Sequence, residues 1–178
     1  RQSAGTMNWL YNGKVRPPFA VEPEKGQESV WDYPRPPALI QDGRDLQVYL
    51  NFVKIAQTRT AFKVVETASP PTFYIPEEDV DTRVLDKSSS TSLCEWKGRA
   101  EYFNFVVDSV IVNNVAWRYT EPKKNFIKIK NYFAFYPSKL QCYINGERVK
   151  SQAGGFYGGW ITNEIVGPFK GDDPTSGW

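Results

Sequence analysis

Histidine is absent from this chain of 178 residues, and its absence limits what chemistry the chain could do. Imidazole is the usual general base near neutral pH and the commonest metal ligand, so Ser-His-Asp, Cys-His and His-Glu-x-x-His arrangements are excluded. The two cysteines, Cys94 and Cys142, cannot alone build a three- or four-thiolate zinc site. Neither a metal nor a cofactor is expected. Three places still offer carboxylate, thiol, amine or glycine-loop chemistry. Glu77-Glu78-Asp79 after Pro76 could share a proton or hold a hard cation. The same run is how a helix begins, with acids well placed on its dipole, and a helix start is the expectation. In Cys94-Glu95-Trp96-Lys97-Gly98 an amine beside a thiol could make it reactive. Without histidine the base would have to be Lys97 or Glu95, so a buried and inert thiol is expected. Gly154-Gly155-Phe156-Tyr157-Gly158-Gly159-Trp160 has the glycine density of a phosphate loop but lacks its Lys-Ser/Thr pair and its strand-to-helix junction. Paired glycines that let backbone approach aromatic rings, or an exposed sticky loop, fit better.

Composition narrows the classes further. Hydrophobic residues at 40% and charged residues at 24% describe one ordinary globular domain large enough to close a core. The 22 Lys and Arg against 20 Asp and Glu give a net charge of +2, which offers a polyanion nothing to hold. Lys123, Lys124, Lys128 and Lys130 cluster, but as a solvated surface, so nucleic acid is not an expected partner. No run of 18 apolar residues suggests a transmembrane segment. Arg1 to Thr6 lacks the apolar core of a signal peptide, and a start at Arg is expected of a processed precursor or a cloned fragment. One disulfide and a reducing compartment are both compatible with two thiols 48 positions apart.

The elements that must position these groups read mostly as β-structure. Pro17, Pro18, Pro23, Pro34, Pro36 and Pro37 make Arg16 to Pro37 an extended arm, with Trp31 and Tyr33 as anchors onto the body or a partner. Leu46–Leu50 and Val53–Ile55 flank a turn at Asn51-Phe52, where Phe is an unusual turn residue. Phe62–Glu66 and Thr72–Ile75 read as short strands separated by Pro70-Pro71. Glu101–Val107 and Val110–Val112 turn at Asp108-Ser109 and are apolar on both faces, which predicts burial on both sides of a sheet or barrel. Asn12-Gly13 and Asn145-Gly146 predict two more hairpins. Ser88–Ser92 reads as a polar loop. One helix is predicted over Asn125–Leu140, with Phe126, Ile129, Phe133 and Tyr136 on one face and Pro137 limiting its end. Gly154, Gly155, Gly158, Gly159, Gly167, Gly171 and Gly177 make the tail a loop.

Four motifs in order carry a resemblance: Val65-Glu66-Thr67 with Pro70 to Val80, Cys94 to Gly98, Asn114 to Tyr119, and Ala134-Phe135-Tyr136. Over roughly positions 45 to 150 the chain resembles the family known as domain of unknown function 427. The resemblance implies a mainly β fold: a single compact antiparallel β-barrel or tent-like domain, with one short helix and extended N- and C-terminal arms. It implies an invaginated face to which these motifs contribute, and it hands over no activity. A nucleotidyltransferase label sometimes attached to the family finds no Gly-Ser plus Asp-x-Asp arrangement here. Many members carry His before the diproline, where this chain has Ser69. The proline-rich arm and Gln152–Thr162 resemble the longer form found in cyanobacteria and plastids.

The expected organisation is an arm over 1–44, a β-domain over 45–150 and a glycine and aromatic tail over 151–178. Glu66, Tyr74, Cys94, Trp96, Lys97, Trp117 and Tyr119 are expected to face one another, either as a ligand pocket or as core packing around an ion pair. Trp31, Tyr33, Phe156, Tyr157 and Trp160 are the expected partner contacts. The leading expectation is a non-catalytic binding or interaction module, an accessory subunit of a larger photosynthetic protein assembly. Its place would be the plastid stroma or the cyanobacterial cytoplasm, peripheral to a thylakoid complex. The alternative is a small enzyme or small-ligand-binding protein that uses Glu66 and Lys97 in an aromatic pocket.

Overall fold

The computed structural model of the chain describes residues 10–172. The expectations for Arg1–Thr6, for Trp9 in the first hairpin and for Gly177 lie outside the described residues. The protein is mainly β. In chain order the strands are β1 (Glu28–Ser29), β2 (Ala38–Asp42), β3 (Leu46–Leu50), β4 (Val53–Thr58), β5 (Ala61–Glu66), β6 (Ser69–Tyr74), β7 (Leu85–Cys94) and β8 (Gly98–Val107). There follow β9 (Val110–Tyr119), β10 (Phe133–Phe135), β11 (Gln141–Ile144), β12 (Glu147–Arg148), β13 (Lys150–Ser151), β14 (Trp160–Ile161) and β15 (Ile165–Val166). Among the described residues no helix is long and apolar enough to cross a membrane.

Two antiparallel sheets join edge to edge. One has the order β10-β9-β8-β7 and the other β2-β5-β6. Ile75 and Phe133 link them: the Ile75 amide donates to the Phe133 carbonyl at 2.8 Å, and the Phe133 amide donates back to Ile75 at 2.8 Å. The joined surface is apolar on both faces, as the doubly hydrophobic strands predicted, except at the β8–β9 tip, where Val110 and Ile111 are exposed because no element covers that end of the hairpin. Phe73, Phe103, Phe105, Ala116, Phe133 and Phe135 point to one side, into the main core shared with Leu46, Val48, Ile55, Cys142 and Ile144 of the third sheet, β12-β11-β3-β4. Tyr74, Tyr102, Trp117, Tyr119 and Ala134 point to the other side. Strand geometry explains the split, because neighbouring side chains leave opposite faces.

Several local expectations need correction. Pro70 and Pro71 do not separate two strands. They lie inside β6, where the register to β5 shifts between Glu66↔Ser69 and Val64↔Thr72, and that irregularity accommodates residues with no amide to donate. The hairpin turns instead at Thr67-Ala68, with Ala68 at φ 74°. Ser88–Ser92 is strand, not loop, and belongs to β7. The helix predicted over Asn125–Leu140 is a 3-10 segment at Lys124–Ile129, kinked at Phe126, and then strand β10. Asn131 at φ 63° separates the two, so Phe126 and Ile129 enter one cluster while Phe133 enters the other. The shared helical face was a coincidence of spacing. Asn12-Gly13 makes a bend, not a hairpin, because Gly13 is pressed against the Tyr33 carbonyl where a Cβ has no room. At Asn51-Phe52 only Asn51 takes positive φ, 53°, which leaves Phe52 unstrained. Asn145-Gly146 has positive φ at both residues, as its hairpin requires.

The arm docks on the body. Trp31 is fully buried, its indole nitrogen donates to the Pro168 carbonyl at 3.1 Å, and Tyr11 and Phe19 meet its ring edge-on. Tyr33 is buried and donates to Glu28 at 3.0 Å. β1 pairs in parallel with β15, so arm and tail hold each other, and Ala38–Asp42 of the expected arm pair with β5. The tail is not all loop. It supplies β14 and β15, and Trp160 sits in the main core 5.0 Å from the Phe73 ring. The Trp160 indole donates to the Phe135 carbonyl at 3.0 Å. Trp160→Ala removes this ring and orphans that carbonyl, so urea unfolding should show a loss of about 3–5 kcal/mol.

Candidate functional site

The second apolar face is only partly covered, and a cavity of about 400 Å³ opens beside it. Alternation on each strand places the walls. β5 sends Val64 and Glu66 inward, β7 sends Ser92 and Cys94, and β9 sends Trp117 and Tyr119, in each case two residues apart. β6 adds Tyr74 and β8 adds Tyr102, which is paired directly with Trp117 across the ladder. The turn between β7 and β8 hangs Trp96 and Lys97 over the opening. Gly98 at φ 113° makes that turn possible. The turn is tied back where the Lys123 amide donates to Lys97 at 2.9 Å and the Lys123 ammonium donates to the Glu95 carbonyl at 2.6 Å.

The structure therefore brings Glu66, Tyr74, Cys94, Trp96, Lys97, Trp117 and Tyr119 around one cavity. Of the five expected partner contacts, Trp31, Tyr33 and Trp160 are buried within the chain's own core. Their apolar faces are used internally. Phe156 and Tyr157 instead line this same cavity, with Phe156 65% exposed at its rim. Ser69, Thr72, Tyr102, Tyr136, Gln152, Gly158 and Lys170 also line it and were not among the residues expected to do so. Tyr102 was within reach, since the same alternation that turns Trp117 inward on β9 turns Tyr102 inward on β8. Gln152 and Lys170 arrive from the tail, which has no periodicity to read.

The walls form a connected aromatic set. Trp117 lies 4.7 Å from Tyr136 and edge-on to Tyr74 at 6.2 Å, and Tyr74 lies 6.2 Å from Tyr119, all between ring centroids. The Trp117 indole donates to the Tyr74 hydroxyl at 3.4 Å, Ser92 and Tyr102 share a hydroxyl bond at 2.9 Å, and Tyr136 donates to the Phe156 carbonyl at 3.2 Å. Burial, helped by neighbouring hydroxyls, pushes Tyr119 and Tyr136 well above the ordinary phenol range, so both stay neutral donors. Burial works against the Lys97 ammonium, but Tyr74, Cys94 and Glu66 outweigh it and hold its pKa above the ordinary lysine value. Glu66 lies 3.7 Å from the buried Arg35 guanidinium, which also donates to the Tyr11 and Thr67 carbonyls. Cys94 and Cys142 are both free thiols. Cys94 is half-buried at the cavity, whereas Cys142 is buried in the main core, which pushes its thiol up and leaves it inert.

The other acidic candidate disperses. Glu77–Asp79 form one 3-10 turn rather than the start of a longer helix. Within it Glu77 accepts from Arg118 at 3.1 Å and Asp79 accepts from Thr58 at 2.7 Å.

Glycine lets the tail close the cavity. A Cβ on Gly158 would lie 2.7 Å from Cζ3 of Trp117, and one on Gly159 would lie 2.7 Å from Cγ of Pro70. The Gly159 amide donates to the Gln152 side chain at 3.1 Å. Close approach of backbone to ring is thus what this glycine pair provides. Gly158→Ala should displace the tail and lower stability by about 1–3 kcal/mol in urea unfolding. Gly155→Ala, which meets nothing within 4 Å, should change stability by less than about 0.5 kcal/mol.

No curated protein matches the chain. The family model described as Domain of unknown function (DUF427) matches residues 38–146, from β2 to the turn after β11. All seven expected cavity residues fall inside that span, and the tail that closes the cavity falls outside it. The chain belongs to the DUF427 family, and the tail's side of the cavity lies beyond the matched residues.

Proposed function

We propose that the protein is a non-catalytic binding module whose ligand is a small molecule held in the aromatic cavity. The observation that carries this is the cavity itself: about 400 Å³, walled by rings and hydroxyls, and closed on one side by the tail. Pockets of this size with apolar walls and a few convergent polar groups are the usual form of small-ligand sites. Packing alone would have filled the space, since protein interiors leave few voids larger than a water. We take the joined sheets as a tent-like body, with the cavity under its slope. Binding without catalysis is favoured because Glu66 is engaged by Arg35 and Cys94 has no imidazole to activate it. The alternative enzyme would need Glu66 to serve as acid or base from beside that guanidinium.

The experiment is a thermal-shift screen of small molecules, followed by alkylation of Cys94 with iodoacetamide. A true ligand should raise the melting temperature, because it binds only the folded state, and should slow Cys94 alkylation by about tenfold or more at saturation. A screen in which no compound stabilises the protein or shields Cys94 contradicts the proposal.

A second reading, compatible with the first, keeps the interaction module and its larger assembly. Val110 and Ile111, 46% and 63% exposed at the tip of the β8–β9 hairpin, support it, because adjacent apolar side chains at a hairpin tip are poorly placed in water. Affinity isolation of the natural protein should then recover a larger complex in stoichiometric amounts. Ile111→Lys should abolish that recovery while leaving the cavity's ligand binding intact. Recovery of the protein alone sinks this second reading.

A further inference from the structure

Among the described residues, two cations that line the cavity stand outside any ion pair. Lys97 and Lys170 both line it. Among the described residues neither ammonium has a carboxylate within 4 Å. Each is instead set against a ring face: Lys97 lies 5.7 Å from the Phe126 centroid and Lys170 lies 5.5 Å from that of Tyr157. Two carboxylates, Glu66 and Glu95, also line the space. Glu66, however, faces the Arg35 guanidinium at 3.7 Å, and that side chain is only 2% exposed, so the carboxylate's charge is already answered. Lys97 is partly buried, where water neutralises a charge poorly and a nearby anion is worth more than at an open surface.

We infer that the cavity selects a flat, apolar molecule carrying one anionic group, a carboxylate or an ester phosphate. Its ring lies along Trp117, Tyr136 and Tyr157, and its charge meets Lys97 and Lys170. The Tyr119 phenol, held neutral by burial, stands within the same cavity beside the Tyr74 hydroxyl, and both can bond to the anion's oxygens. This rests on the binding reading above and adds the ligand's charge and shape.

The test compares two probes of nearly equal shape, 2-naphthoate and 2-naphthamide, by isothermal titration calorimetry on the full chain at low ionic strength. The naphthoate should bind at least about tenfold more tightly, a preference worth about 1.4 kcal/mol. Lys97→Met should erase most of that preference, read as the ratio of naphthoate to naphthamide affinity. Lys170→Met should reduce it, and serves as the second variant should Lys97→Met fail to fold. Once the naphthoate preference is established, a 2-naphthyl phosphate arm of the same ring shape ranks the two anion classes. Equal binding of naphthoate and naphthamide overturns the charge inference while leaving the binding reading in place. Binding of neither probe overturns the charge inference. Should the thermal-shift screen also find no ligand, the binding reading falls separately.

Discussion

A sheet that is apolar on both faces cannot stand with either face in water, and the rest of this fold answers that constraint. Alternation on β6, β8, β9 and β10 sends phenylalanines to one side and tyrosines with tryptophan to the other. The phenylalanine side has no polar atoms to satisfy, so it packs dry against β3, β4 and β11. The tyrosine side carries hydroxyls and an indole that need partners, and it is covered by shorter, less regular pieces: the 3-10 turn with Phe126 and Ile129, the β7–β8 turn, and the tail. Irregular cover over polar aromatics leaves space, and that space is the cavity. The difference between core and site therefore begins in which aromatic residue occupies which parity of the strand.

The tail needs two anchors to serve as a wall. Trp160 supplies one by entering the main core and bonding the Phe135 carbonyl from the far side of the sheet junction. Pairing of β1 with β15 supplies the other, and makes the arm part of the same clamp. Between these anchors lie Gly158 and Gly159, which press backbone against Trp117 and Pro70. The diproline of β6 sits in the irregular register beside Glu66, where its missing amide donors are tolerated, and gives the tail a rigid surface to rest on. Ser69 stands at the start of that strand and faces the cavity.

Much of this was legible in residue order. The β8–β9 hairpin follows from its two apolar runs and the turn at Asp108-Ser109, although Val110 and Ile111 at its tip stand exposed rather than buried, and alternation turns Trp117 and Tyr119 of β9 to the same side. The errors have physical causes. Phe126, Ile129, Phe133 and Tyr136 mimic a helical face because a 3-10 turn and a three-residue strand happen to place apolar residues three and four apart. Pro70-Pro71 read as a break because a bulge that tolerates missing donors is set by the partner strand, not by the prolines. Trp31 and Trp160 looked free to reach outward because aromatic residues in proline- and glycine-rich segments carry no period. Only the tertiary fold shows that their rings are consumed inside the chain.

The central claim is that the tail is a fixed wall of a preformed cavity rather than a loose end beside a sheet. Hydrogen exchange of the backbone amides tests it most directly. The Gly159 amide, bonded to Gln152, and the β13–β14 pair should exchange slowly, within a few-fold of the β8–β9 ladder. Exchange at unprotected rates across 150–161, with β8 and β9 still protected, would contradict the account, since the cavity would then lack the wall that makes it a site.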